Sequence, residues 1–278
     1  MGILNVTPDS FSDGTAHLVT DVLVERGLRL ASEGADIVDV GGESTRPGAT
    51  RVDVEEELRR VIPVVRRLAD AGVVVSVDTM RARVASAAIE AGAFLVNDVS
   101  GGLADPSMAH VVADANVAYV AMHWRGHSAQ MHRHATYQDV VADVVGELAV
   151  RLESLVGAGV SEHRIILDPG IGFAKTAEHN WAILGALDEL QRLGRPILIG
   201  ASRKAFLGKL MGEAVGTEPP ARQRDSLTCA VSTLVASAGA YCVRVHDVRS
   251  TREAIAVADA WADHGAKIRT YSHNSPAR

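Results

Sequence analysis

Short apolar runs alternate with longer amphipathic ones along the whole chain. Eight short runs read as strands: Gly2–Val6, Asp36–Val40, Val73–Asp78, Phe94–Val99, Ala118–His123, Arg164–Asp168, Pro196–Ala201 and Cys242–His246. They are nearly continuous in apolar residues, as expected for parallel strands covered on both faces. Their shortness and β-branched content separate them from buried helix turns. Between them lie helical patterns at Asp21–Ser32, Asp53–Asp70, Arg81–Ala91, after Asp105-Pro106, and at Tyr137–Ala158, Ala177–Leu193, Arg224–Ala240 and Thr251–His264. In Asp53–Asp70 the set Val54, Leu58, Val61, Ile62, Val65 and Leu68 falls on one helical stripe. Asp53 with Glu56, and Ser250 with Glu253, read as N-terminal capping boxes, and Asp105-Pro106 as a cap followed by proline at the first helical position.

Eight strands alternating with eight helices predict an α/β fold, a (β/α)8 TIM barrel in a single domain over residues 1–265. Residues 266–278 read as a flexible tail, and the His-bearing stretch Gly126–His134 as a loop. A doubly wound sheet is the other architecture this alternation allows. The length of 278 residues suits the barrel, which takes roughly 250. The net charge of −6 argues against a nucleic-acid or membrane-surface partner. Two cysteines, Cys229 and Cys242, make no disulfide framework. With no basic leader before the first apolar stretch, they point to a cytoplasmic protein.

In a barrel, chemistry gathers at the C-terminal ends of the strands. Those ends carry Asn5, Asp39 with Glu43, Asp78, Asn97, His123, Asp168, Ser202 with Lys204, and Arg244 with His246. Polar groups in an apolar register are costly unless partnered, so their convergence reads as a ligand site. Asp39 reads equally well as a helix cap or loop residue. Asp78, Asn97 and Asp168 offer acceptors, which suit a donor-rich heterocyclic edge. Lys204, Arg244 and His246 offer positive charge, which suits a phosphate. The expectation is a negative wall facing a positive one. Three glycine-bearing segments follow strands: Asn5–Gly14, Gly41–Gly48 and Asp168–Thr176. His127, His132 and His134 have no accompanying Cys or carboxylate set and read as loop residues.

Seven motifs in order resemble those of the dihydropteroate synthase family. They are Asn5-Val-Thr-Pro-Asp-Ser-Phe-Ser-Asp-Gly14, Gly41–Gly48, Ser76-Val-Asp-Thr79, Val96-Asn-Asp-Val-Ser-Gly101, Asp168–Phe173, Ser202-Arg-Lys204 and Arg244-Val-His-Asp247. The resemblance implies condensation of (7,8-dihydropterin-6-yl)methyl diphosphate with 4-aminobenzoate, giving 7,8-dihydropteroate and diphosphate by an SN1-like path. It implies that Asp78, Asn97 and Asp168 hold the pterin with Met122 in its pocket, and that Lys204 reaches the ring from the facing side. It further implies that Arg244 and His246 bind diphosphate and that Asn5 contacts Mg²⁺ there. Thr45, Arg46, Pro47, Phe173 and Ser202 would line the aminobenzoate pocket. Asp78, Lys204, Arg244 and His246 would then be the catalytic residues, and the protein a homodimer open to sulfonamides. A corrin-linked pterin methyltransferase would share the Asp/Asn/Asp set but needs no diphosphate site. A silent pterin-binding paralogue would tend to lose site residues.

Overall fold

The computed structural model describes residues 1–6, 16–43, 52–126 and 134–273, and the side chains of all of these except 16–18 and 265–273. All eight expected strands are present. They are β1 (Gly2–Asn5), β2 (Val38–Gly41), β3 (Val75–Asp78), β4 (Leu95–Asp98), β5 (Ala118–Met122), β6 (Ile165–Asp168), β7 (Leu198–Ile199) and β8 (Cys242–Val243). The first six form one parallel sheet in chain order, and β7 pairs in parallel with β8. Two parallel bridges, Leu167 with Ile197 and Gly2 with Val245, join these sheets at both seams. The seam bonds Leu167 N–H to Pro196 O (2.9 Å) and Ile3 N–H to Val245 O (2.9 Å) complete the circuit. The result is a closed barrel with no exposed sheet edge.

Around it lie α1 (Ala16–Ser32), α2 (Val54–Asp70), α3 (Ala82–Glu90), α4 (Met108–Ala115), α5 (Val140–Gly157), α6 (Ala177–Gly185), α7 (Leu187–Gln191), α8 (Ala205–Val215), α9 (Asp225–Ser237) and α10 (Val248–His273). The single helix expected over Ala177–Leu193 is broken at Ala186 into α6 and α7. Helix α8 was not anticipated: its run AFLGKLMGEAV follows the Ser-Arg-Lys motif and has two glycines, which weaken a helical signal. Helix α10 starts earlier than the expected Thr251 and runs on to His273, so part of the expected tail is helical. Residues 274–278 lie outside the described residues.

The capping expectations resolve in three ways. Asp53 caps α2, its side chain accepting Glu56 N–H at 2.9 Å. Asp105 accepts Ser107 N–H (3.0 Å) ahead of α4, and its second oxygen accepts Ala82 N–H (2.8 Å), so it also caps the start of α3. At α10 the expected Ser250–Glu253 box is replaced by Asp247, which accepts Ser250 N–H at 3.1 Å. The helix begins at Val248, so Asp247 stands at the cap and Ser250 lies inside.

Two apolar clusters pack the fold. The larger one fills the space between strands and helices and includes Leu4, Val38, Val40, Val75, Val77, Val96, Tyr119, Ile165 and Leu167. The smaller holds Met1, Leu95, Ala118, Val120, Ile166 and Leu198, with Ile37 and Cys242 against it. Successive strand residues point to opposite faces, so these smaller-cluster residues turn inward. Two positions further along, on the same inward face, come polar residues: Ile37 leads to Asp39, Leu95 to Asn97, Ile166 to Asp168 and Cys242 to Arg244. The barrel is therefore plugged by hydrocarbon at its lower end and lined by charge at its upper end.

Replacing Asp53 with Ala removes a cap and is expected to cost about 1 kcal/mol of stability. A urea unfolding midpoint that does not fall would show that α2 needs no cap.

Candidate active site

Arg244, just past β8, reaches across the upper barrel. Its Nε donates to Asp39 Oδ2 at 2.6 Å and its terminal nitrogen donates to Asp78 Oδ2 at 2.7 Å. Asp39, fully buried, also accepts from Asn97 Nδ2 (3.0 Å) and Ser76 Oγ (2.5 Å). The side chain thus joins β8 to β2 and β3. Two expectations change here. Asp39 caps no helix and belongs to no loop; it is the buried centre of the network. The anticipated split into a negative and a positive wall also fails, because Arg244 sits directly between two carboxyls and the charges interleave. An aspartate between Val38 and Val40 in a short buried strand is itself a signal of this role.

Asn5, Gly41, Asp78 and Asn97 are paired in register from β1 to β4, so they stand at one level of the rim. Met122 and Asp168 are paired in the same way on β5 and β6. Asp168 is buried and accepts Gly170 N–H at 2.7 Å. Burial raises its affinity for a proton, opposed first by the nearby Lys204 ammonium and then by the Gly170 bond. Asp78 is pushed up to about 7 by burial, with Arg244 pulling it back and Asp39 adding to the rise. Arg244 is held charged: the two carboxyls outweigh its loss of solvation.

Lys204 precedes α8 and donates through Nζ to Ile171 O, with the ammonium 4.5 Å from the Phe173 ring centroid. Burial pushes it down to about 8 against the pull of Asp168. Ser202 Oγ lies 2.8 Å from His246 Nδ1 and accepts the His246 backbone N–H at 3.2 Å, so these two residues hold each other. Between Ser202 and Lys204, Arg203 adopts a left-handed backbone (φ 59°) and is fixed by a two-pronged pair with Asp225 (2.6 and 2.7 Å). That bend turns both neighbours toward the rim.

Thr45, Arg46 and Pro47, with His127 and His132, lie outside the described residues. The residues flanking 44–51 are well held. Arg81 bonds Glu43 Oε2 (2.8 Å), Glu57 and the Val52 carbonyl, and Arg60 bonds Gly42 O at 3.3 Å. Glu57 also accepts from Thr79 Oγ1 at 2.7 Å. Glu57 and Arg60 are buried on α2 although the apolar stripe did not include them, because that face meets the barrel rim. Among the described residues no three His, Cys, Asp or Glu side chains are grouped to hold a metal ion. Asn5 contributes one amide oxygen at the rim, so a divalent ion there would have to draw its other ligands from phosphate and water. That donor set fits Mg²⁺, which keeps few protein ligands.

This geometry belongs to a parallel barrel with a charged mouth, and comparison with known proteins assigns its class. The model of the family described as pterin binding enzyme matches residues 1–246. The dihydropteroate synthase of Mycobacterium leprae is 53% identical over 269 residues, covering 96% of this chain and 95% of that protein. The dihydropteroate synthase of Xanthomonas albilineans, solved with 4-aminobenzoic acid, superposes with a TM-score of 0.86 at 45% identity, covering 94% of this chain and 92% of the other. That of Yersinia pestis, solved with a sulfonamide drug, gives 0.87 at 39% identity, covering 95% and 94%. The chain belongs to the pterin-binding enzymes and, among them, to the dihydropteroate synthases.

The raised Asp78 carboxyl has a definite sign in stability. The folded protein keeps a proton that the unfolded chain releases above its ordinary value of 3.8. The stabilisation is therefore present at low pH and lost as pH rises through about 7. Between pH 5 and 8, wild type should lose more stability in urea unfolding than Asp78→Asn. A parallel loss in both would refute the assignment.

Proposed function

We propose that the chain condenses (7,8-dihydropterin-6-yl)methyl diphosphate with 4-aminobenzoate to give 7,8-dihydropteroate and diphosphate. The observation that carries this reading is the interleaved rim: buried acceptors Asp78, Asn97 and Asp168 lie beside the cations Arg244 and Lys204. A donor-rich ring that carries an anionic tail on a short methylene needs both kinds of group within one small site.

In this reading Asp78, Asn97 and Asp168 accept hydrogen bonds from the pterin edge, with Met122 packed beside it. Lys204 lies over the opposite side, next to Phe173. Arg244 and His246 take the diphosphate, and Asn5 lends an oxygen to the Mg²⁺ that accompanies it. An ion held there would supply positive charge beside the diphosphate, adding to that of Arg244. Loss of diphosphate leaves a cation delocalised into the electron-rich ring, and the carboxyls of Asp78 and Asp168 favour that positive charge. The arylamine is a weak nucleophile, so its pocket must supply orientation. Thr45, Arg46, Pro47, Phe173 and Ser202 are assigned to it. No covalent enzyme nucleophile is required.

The purified protein should form dihydropteroate from both substrates with Mg²⁺, and chelation should abolish it. Lys204→Ala should lower kcat/KM by about 10²-fold or more while still folding, and Arg244→Ala should lower it at least as far with a fall in the urea unfolding midpoint as well. Absence of product with pterin still bound would favour a silent paralogue, and wild-type turnover in either variant would remove that residue from the assignment.

We further place the protein in a homodimer formed through α9 and α10. These helices pack on each other and leave Leu234, Val257 and Trp261 exposed, the last at 82%. Large apolar side chains left in water on two packed helices are costly, and a second copy would cover them. None of the described helices is long and apolar enough to cross a membrane. Among the described residues both cysteines are free, which accords with a reducing, cytoplasmic setting. Sedimentation should show a dimer for wild type and a monomer for Trp261→Glu; a wild-type monomer would refute the assignment.

A further inference from the structure

Behind the site lies a chain of charged and polar groups, buried at Lys175 and His123 and reaching the surface at Glu147, to which the proposed chemistry gives no part. Lys175 is buried, and its Nζ donates to His123 Nδ1 at 3.0 Å and to the Phe173 carbonyl at 3.1 Å. His123 Nε2 lies 2.9 Å from Glu147 Oε2 on α5. Burial and the adjacent ammonium push the His123 imidazole down to about 3, so it is neutral. Its one ring proton then goes to the Glu147 carboxylate, and Nδ1 is left to accept from Lys175. Arg125 closes the chain, bonding Glu147 and stacking 3.8 Å from the Tyr137 ring centroid.

The backbone is bent to bring Lys175 there. Ala174 takes a left-handed conformation (φ 47°), uncommon for a residue with a Cβ. Tyr137 Oη donates to its carbonyl at 3.0 Å. The bend folds Lys175 back beneath the turn that starts at Asp168. The turn is tight: a Cβ on Gly170 would lie 2.6 Å from the His123 carbonyl oxygen and 3.4 Å from Lys175 Nζ. On the other side a Cβ on Gly172 would lie 2.7 Å from Lys204 Cδ. Two lysines thus grip one loop from opposite faces, Lys204 at the Ile171 carbonyl and Lys175 at the Phe173 carbonyl.

We propose that Lys175 is a positioning residue, which clamps the 169–173 turn from behind and so fixes Phe173 for the arylamine substrate. It touches neither reactant. It acts through Phe173, and the His123–Glu147 chain holds its Nζ in place. The inference rests on the function proposed above for the identity of that substrate, but the clamp itself is a property of the loop.

The test compares wild type with Lys175→Met, which keeps length and loses the donor, and with His123→Gln, which weakens the anchor and spares the Phe173 bond. Lys175→Met should raise KM for 4-aminobenzoate by about tenfold or more, with kcat and KM for the pterin diphosphate within about threefold of wild type. Amide exchange at Gly172 and Phe173 should quicken by about tenfold, with exchange in β1–β4 unchanged. His123→Gln should move both readouts in the same direction by less, and it carries the test if Lys175→Met does not fold. Unchanged exchange in the loop, or an equal loss toward both substrates, overturns the clamp. If wild type makes no product, the proposed function fails and loop exchange alone decides the clamp.

Discussion

The upper half of this barrel depends on one buried guanidinium. Asp39 and Asp78 bring two carboxyls into a space that excludes water, and desolvating charge there would cost several kcal/mol per group without a partner. Arg244 answers both at once, in bonds of 2.6 and 2.7 Å. Its planar fork lets one side chain reach two acceptors, which a lysine could not match. Asn97 and Ser76 fill further positions on Asp39. Removing one member would strand the rest, a loss of roughly 3–5 kcal/mol for buried pairs. The site is therefore built before any ligand arrives, and much of its polarity is already committed to holding itself together.

That commitment refines the picture of two opposed charged walls. A ligand entering this mouth meets carboxyls partly answered by Arg244 and Lys204, and cations partly answered by carboxyls. Each group is held at a fixed position with its charge damped. Such an arrangement favours a partner that offers donors and negative charge in the right order, and gives little to a simple ion of either sign.

The strand and helix order was legible from the chain because continuous apolar runs and helical stripes leave strong local signals. The outward strand positions that contact the helices, such as Val38, Val40, Val75 and Val77, make those runs. The inward alternation was harder to see, since Asp39, Ser76 and Asp78 look like interruptions until the barrel is closed. Asp78, Asn97, Asp168, Lys204, Arg244 and His246 stand out as candidates in the sequence because strand ends are where a barrel does its chemistry. Asp39 stayed ambiguous because its partners are 37, 58 and 205 residues away. Glu57 and Arg60 on α2, and Arg81 just before α3, were missed because a charge in or beside a helix has no local mark of the rim it faces. Helix α8 was missed because glycine and a turn motif masked its periodicity.

The span of the Arg244 contacts also bears on how the chain comes to be folded. Asp39 and Asp78 are synthesised early, and their common partner emerges 205 and 166 residues later. Until then a half-made barrel would have to bury two carboxyls without their cation, which disfavours early closure around them. Arg244 thereby ties the last strand to the second and third, so the charged mouth is complete only when the whole length of the barrel is in place.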